Sequence, residues 1–427
     1  MSTGNETPSR REVNRSARGM AARVALFGSS TVISGLTAVV AIPITVRYAG
    51  VDVWADAAVG MSVGAIVATI VSLGWPITGI SAAASLAETD RGIFFASSVS
   101  SRTLLMLPGI VAAAVVAMLL APNSALIAVL AALTLALQGL NSNWYFVGAN
   151  DPVGILLCDA LVRAGVLGIA AITIMLTSNP VVFFTIQLVG GVLSIACAFV
   201  RVGTQTHRNP LGKLGIRAGI QASRNQVHGS VTATVATLYQ SLPLIVVSAL
   251  APSVTGVYAI SDRLLKLSNT AGQPFIQVIQ GWIPASSQNL DRRIVKGCSI
   301  ALGLGVVSGS LLFGLGPGAS ALLTDNKAVA SFALMLPIGI ALAATLFSQC
   351  LGVASLVPLG GISAVSRSAI AGACIAAVGL VVLVPVYGAN GAAWSVAISE
   401  VLVVAYQAIA LGLRLRARSA GRKGAAS

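Results

Sequence analysis

The chain has 427 residues, of which 56% are hydrophobic and 9% charged, and its mean hydropathy is +0.90. A soluble domain carries about 25% charged residues, so a large aqueous domain is excluded. The formal net charge of +14 would point to nucleic acid in a soluble protein; in a chain this apolar the placement of the charges decides, and it excludes that partner.

Apolar runs of about 20 residues, enough to cross a bilayer, recur along the whole length. In chain order the predicted spans are 24–46, 57–84, 102–120, 125–147, 154–176, 181–200, 229–250, 255–283, 298–316, 328–350, 368–386 and 391–413. The fold class is therefore an all-α polytopic membrane protein with about twelve transmembrane helices. The division reads 1–23 as a basic N-terminal tail, 24–200 as a first six-helix bundle, 201–228 as a basic linker, 229–413 as a second six-helix bundle and 414–427 as a basic C-terminal tail. Two halves of this kind are how many transporters are built, with the substrate path between the bundles in a central cavity. The stretch from Gly19 to Val46 is too long for a signal-peptide core, so no signal peptide is expected.

The polar connections alternate between two sides. Arg91 and Arg102 are assigned to the same side as both tails and the linker, and that side collects 21 of the 26 Lys and Arg. The opposite side has Arg47 and Lys327. The positive-inside rule then puts both termini in the cytoplasm of a bacterial-type plasma membrane, with basic segments touching anionic lipid.

Charged groups within spans cost several kcal/mol unless paired or hydrated, which makes them candidates for function. Asp159 and Arg163 lie four apart on the fifth span, and Asp262 and Lys266 four apart on the eighth; each pair is also the spacing of a self-neutralising bridge. Arg263 leaves the eighth span with one surplus positive charge, which calls for an anion or a wet cavity. Gln273, Gln277 and Gln280 follow as an amide stripe suited to sugar hydroxyls or water. Glu400 stands alone in the twelfth span, as an ion-coupling or a structural carboxylate.

The five cysteines, Cys158, Cys197, Cys298, Cys350 and Cys374, sit in or beside apolar spans without metal-ligand spacing and read as small core residues. His207 and His228 suggest no metal site. No phosphate loop, paired loop acids or Ser/His/Asp set appears, so catalysis and a cofactor are not expected.

Several local patterns together resemble the polysaccharide (O-antigen type) flippase family of the multidrug/oligosaccharidyl-lipid/polysaccharide exporter superfamily. Pro43-Ile-Thr-Val-Arg47-Tyr-Ala-Gly50 is similar to that family's Pro-x-x-x-Arg-x-x-Gly, and Gly74-Trp75-Pro76-Ile77-Thr78-Gly79 to its Gly-Phe-Pro-Leu-Thr-Gly. Trp144-Tyr145-Phe146-Val147-Gly148 looks like its Trp-aromatic-aromatic-Gln-Gly. Gly256, Tyr258, Asp262, Arg263, Pro274, Gln277 and Pro284 follow its eighth span, and Pro385-Val-Tyr387-Gly388-Ala-Asn-Gly391 with Glu400 its last two. Ser81 and Val147 depart from the family's Arg and Gln.

The resemblance implies alternating access that carries a polyprenyl-pyrophosphate-linked oligosaccharide to the outer leaflet. Arg263, Lys266, Arg47, Gln273 and Gln277 become candidates for the pyrophosphate and glycan, and Asp262, Asp159, Arg163 and Glu400 for ion coupling or structure. A monomer is expected, with other polysaccharide-synthesis membrane proteins as further partners. A cation-coupled multidrug exporter of the same superfamily and a non-transporting scaffold for glycan synthesis are the alternatives. A lipid II flippase is a closer cousin, but those resemble fourteen-span proteins.

Overall fold

The computed structural model describes residues 40–121, 123–206, 216–283 and 290–424. The N-terminal tail, most of the first predicted span, the middle of the linker, Pro284 and residues 425–427 lie outside the described residues. What is described is helical, with no strand.

The helices are α1 (Val40–Ala49), α2 (Val51–Ser72), α3 (Trp75–Ser85), α4 (Glu88–Leu120), α5 (Ala125–Ala136), α6 (Asn143–Gly148), α7 (Pro152–Ile155), α8 (Leu161–Thr177), α9 (Pro180–Thr206), α10 (Ile216–Leu250), α11 (Thr255–Trp282), α12 (Leu290–Thr324), α13 (Phe332–Gln349) and α14 (Ile362–Gly424). Among the described residues nine stretches are long and apolar enough to cross a membrane. Twelve were predicted, and three causes account for the difference. The first predicted span is described only from residue 40. Next, α11 carries Asp262, Arg263 and Lys266 together with Asn269, Gln273, Gln277 and Gln280 and is too polar to be one of the nine. Finally, α14 is two spans joined at Gly388, whose φ of 54° and ψ of −128° no helix contains.

The chain forms two compact units. Among the described residues, one holds those before Thr45 with Gly64–Val115 and Val129–Thr237; the other holds Thr45–Val63, Val116–Ala128 and the chain from Leu238 onward.

In the first unit the predicted span 57–84 is broken at Leu73 and Gly74, where φ is 55° and 76°. Gly74 accepts the left-handed conformation without steric cost, and Pro76 sits in the first turn of α3, where its missing N–H loses nothing. The Gly-Trp-Pro motif is thus a helix break. Its Trp75 packs on Trp144 with ring centroids 5.3 Å apart and on Phe94 at 5.2 Å, and its indole N–H donates to Ser101 Oγ at 3.0 Å. A Cβ on Gly79 would stand 2.6 Å from the Trp144 ring. The Gly-Trp-Pro and Trp-Tyr-Phe stretches, 69 positions apart between Trp75 and Trp144, therefore converge on one buried aromatic cluster with Phe95, Tyr145 and Phe146.

The predicted loop position of Arg102 is overturned. Helix α4 starts at Glu88 rather than at 102, and Arg102 is 1% exposed within it. In the polar run before it, Ser97, Ser98, Ser100 and Ser101 each return their hydroxyl to a carbonyl three or four residues back, so these polar groups are satisfied within the helix. Similarly α9 runs on through Arg201, which the sequence reading placed at the start of the linker.

Candidate functional sites

In the first unit the polar groups surround a break in the fourth span. After α5 the helix tightens into a 3₁₀ turn at Leu137–Leu140, which frees carbonyls before α6 begins. Arg102 takes them: Nη1 donates to Gly139 O at 3.3 Å and Asn141 O at 2.8 Å, Nε to Ser98 O at 3.2 Å and Nη2 to Ser98 Oγ at 3.0 Å. The guanidinium also stands 5.7 Å from the Trp144 ring centre. Its charge is spread over carbonyl dipoles and an aromatic face.

Asp159 lies in a π-helical turn, Leu156–Ala160, between α7 and α8. It accepts Arg163 Nε at 2.6 Å, Asn143 Nδ2 at 2.9 Å and Asn141 Nδ2 at 3.2 Å, while Arg163 Nη2 donates to Gln138 Oε1. The i,i+4 pair predicted from spacing is formed, and amides from the broken span complete it. Asp151, just before α7, is a separate clamp. It receives Arg201 Nε at 2.7 Å and Nη2 at 2.8 Å, Gln205 Nε2 at 2.7 Å and the Gly154 N–H at 3.0 Å. Burial alone would push this carboxyl up, but the Arg201, Gln205 and Gly154 hydrogen bonds outweigh it and hold it below the usual carboxylate range.

The second unit is arranged differently. Asp262 and Lys266 of α11 form the predicted bridge, 2.7 Å from Oδ2 to Nζ. Both face a cavity of about 120 Å³ that Tyr239, Asn269, Thr345 and Glu400 also line. Glu400 is 9% exposed, and the Tyr239 hydroxyl lies 2.8 Å from Glu400 Oε1 and 2.6 Å from Ser399 Oγ. The cavity brings together two carboxylates and one ammonium. Of the amide stripe, Gln273 turns to Asn269 at 3.2 Å and Gln349 at 3.0 Å, and Asn269 also accepts from Gln349 at 3.4 Å. Gln277 is exposed and outside that cluster.

Two further candidates lie away from the cavity lining. Arg47 is exposed, and its carbonyl accepts Lys327 Nζ at 3.3 Å. Arg263, one residue round the helix from Asp262, is half-buried, and its buried Nε has no hydrogen-bond partner among the described residues. The sequence reading missed Tyr239 on α10 and Thr345 and Gln349 on α13, which come from other helices, it missed Asn269 three residues after Lys266 on α11, and it missed Arg102 as a buried group. No local pattern marked Arg102 as buried, because the Gly139 and Asn141 carbonyls that receive it lie 37 and 39 residues further along the chain.

No protein-family model and no curated protein matches the chain. Solved structures do. An inward-facing multidrug resistance MATE family transporter of the MOP superfamily is similar with a TM-score of 0.63 and 13% identity, covering 89% of this chain and 98% of that one. The lipid II flippase MurJ in an inward closed conformation has a TM-score of 0.60 and 12% identity, covering 91% and 87%. The eukaryotic MATE transporter AtDTX14 has a TM-score of 0.55 and 12% identity, covering 92% and 93%. The fold is that of these transporters. With it and the apolar helices, the chain is a multi-pass membrane protein whose structural neighbours are transporters rather than enzymes.

Proposed function

We propose that the chain is a flippase that carries a polyprenyl-pyrophosphate-linked oligosaccharide from the cytoplasmic to the outer leaflet of a bacterial-type plasma membrane by alternating access, for cell-surface polysaccharide biosynthesis. The observation that carries this reading is Arg263, a cation at membrane depth whose buried Nε lacks a hydrogen-bond partner among the described residues. Such a group is costly unless an anion or water reaches it, and a pyrophosphate supplies both charge and acceptor oxygens. The similarity to a lipid II flippase supports a lipid-linked cargo. Both termini are assigned to the cytoplasm from the charge asymmetry.

The cavity of about 120 Å³ serves a different part of the cycle. It has room for about four waters or one partly hydrated ion, whereas drug-sized ligands occupy roughly 300–1,000 Å³. Glu400 and Asp262, with Lys266 offsetting one charge, are assigned to bind a proton or monovalent cation that couples the cycle. The same carboxylates favour a second reading, a cation-coupled multidrug exporter, to which the MATE similarity lends equal support.

The deciding experiment reconstitutes the protein in liposomes with a fluorescent polyprenyl-pyrophosphate oligosaccharide and follows exposure of the head group to an impermeant quencher. Protein-dependent exposure, abolished by Arg263→Ala in a variant still present in the membrane, is expected. Exposure at the protein-free rate, with gradient-driven efflux of an organic cation instead, selects the exporter. Wild-type flipping by the Arg263 variant would sink the cationic site.

A further inference from the structure

Four of the five cysteines meet in two pairs, one inside each unit. In the first, the Cys197 thiol on α9 lies 2.9 Å from Cys158 Sγ in the π turn Leu156–Ala160. In the second, the Cys298 thiol on α12 lies 3.5 Å from Ser355 Oγ in the π turn Cys350–Leu356 after α13, which places it beside Cys350, the residue that opens that turn. All four are free thiols.

The pairs share more than proximity. Each has one buried member, Cys158 at 2% and Cys350 at 0% exposure, and one half-exposed member, Cys197 and Cys298. In each the buried cysteine belongs to a π turn, and a serine hydroxyl occupies its carbonyl: Ser194 to Cys158 O at 2.6 Å, Ser355 to Cys350 O at 3.0 Å. A helix with an extra residue in one turn leaves carbonyls without their usual donors, and the serines satisfy them. The geometry thus holds a shielded thiol against an accessible one, the layout in which oxidation of one is resolved by the other.

We infer that Cys158 with Cys197 and Cys298 with Cys350 are two oxidative modification sites, each closing to an intrahelical-turn-to-neighbour disulfide when a hydroperoxide reaches the half-exposed thiol. The half-exposed thiol attacks the peroxide oxygen, giving a sulfenic acid and releasing water or an alcohol. The buried thiol then attacks that sulfur, the S–O bond breaks, and a second oxygen leaves as water with the thiol proton. Two thiols are oxidised by two electrons and one peroxide is reduced. Each bridge ties a π turn to the adjacent helix: Leu156–Ala160 to α9, and Cys350–Leu356 to α12.

The test treats the purified protein, folded in detergent micelles, with hydrogen peroxide, alkylates what remains and counts free thiols by intact mass. The expected count falls from five to one, Cys374, with linked peptides Cys158 to Cys197 and Cys298 to Cys350, and a dithiol reductant restores all five. Cys158→Ser and Cys350→Ser should leave Cys197 and Cys298 as sulfenic acids that dimedone traps. A pair whose cysteines return as free thiols, as separately oxidised acids, or linked to Cys374 is overturned as a site. The linked peptides of the wild-type protein decide this even where a variant folds poorly.

Discussion

The two units place charge at membrane depth in opposite ways. Around the broken fourth span, Arg102 has three carbonyls and a hydroxyl, and Asp159 has a guanidinium and two amides. Around α11 and α14, Asp262, Lys266 and Glu400 instead line a space large enough for water. Saturated charge fixes a shape, because changing its protonation or partners costs the bonds already made. Charge at a cavity can exchange a proton or an ion without dismantling the helix that carries it.

The harshest way to break this contrast is Arg102→Ala. It strips donors from Gly139 O, Asn141 O and Ser98 O in a buried place, and the expected loss is ~3 kcal/mol of stability. Detergent unfolding curves should show it as the least stable of the variants described here. A normal melting curve with dead transport would instead put Arg102 in the substrate path.

Next in size is Asp151→Ala, which removes a helix cap and a two-pronged arginine contact, at ~2 kcal/mol. Because the folded carboxyl lies below its unfolded range, its contribution is present above about pH 4 and is lost as pH falls through the folded value. The stability gap between wild type and Asp151→Asn should therefore close on acidification. A gap unchanged between neutral and strongly acidic pH would contradict the clamp.

In the second unit, Glu400→Gln keeps shape and the Tyr239 contact but not the charge. Transport should slow about tenfold, the equivalent of one charge-assisted hydrogen bond of ~1.5 kcal/mol, with the melting curve nearly unmoved. The smallest effect sharpens the contrast most. Neutralising Asp159 and Arg163 together, to Asn and Gln, should leave transport intact at a cost of ~0.6 kcal/mol per hydrogen bond exchanged. The same double change at Asp262 and Lys266 should slow transport. Equal outcomes would erase the distinction between the units.

What the sequence made legible was what helical pitch and hydropathy encode locally. The predicted span 125–147 becomes the stretch Ala125–Gly148, and both i,i+4 ion pairs form as spacing required. Tyr239 and Glu400, 161 residues apart, share no local pattern, and neither do Cys158 and Cys197. Reading the cysteines as small core residues captured burial for Cys158 and Cys350 but not the pairing, and Cys374 is exposed. Arg102 misled because a cation near a predicted span end looks like a loop residue. Ser98 on its own helix supplies two of its acceptors, and the carbonyls of Gly139 and Asn141, features of another helix, supply the rest. The aromatic motifs of the first half were legible as motifs, yet their meaning here is packing.

That packing has an optical consequence. The chain has five tryptophans, and the first unit holds two of them, Trp75 and Trp144, with rings 5.3 Å apart and planes tilted by 34°. Two indoles so close couple their electronic transitions, so the near-ultraviolet circular dichroism of this pair vanishes when the rings separate, even if the helices persist. Trp54, Trp282 and Trp394 belong to the second unit. Replacing those three by phenylalanine leaves a chain whose near-ultraviolet dichroism reports the loss of order around the Trp75–Trp144 pair alone.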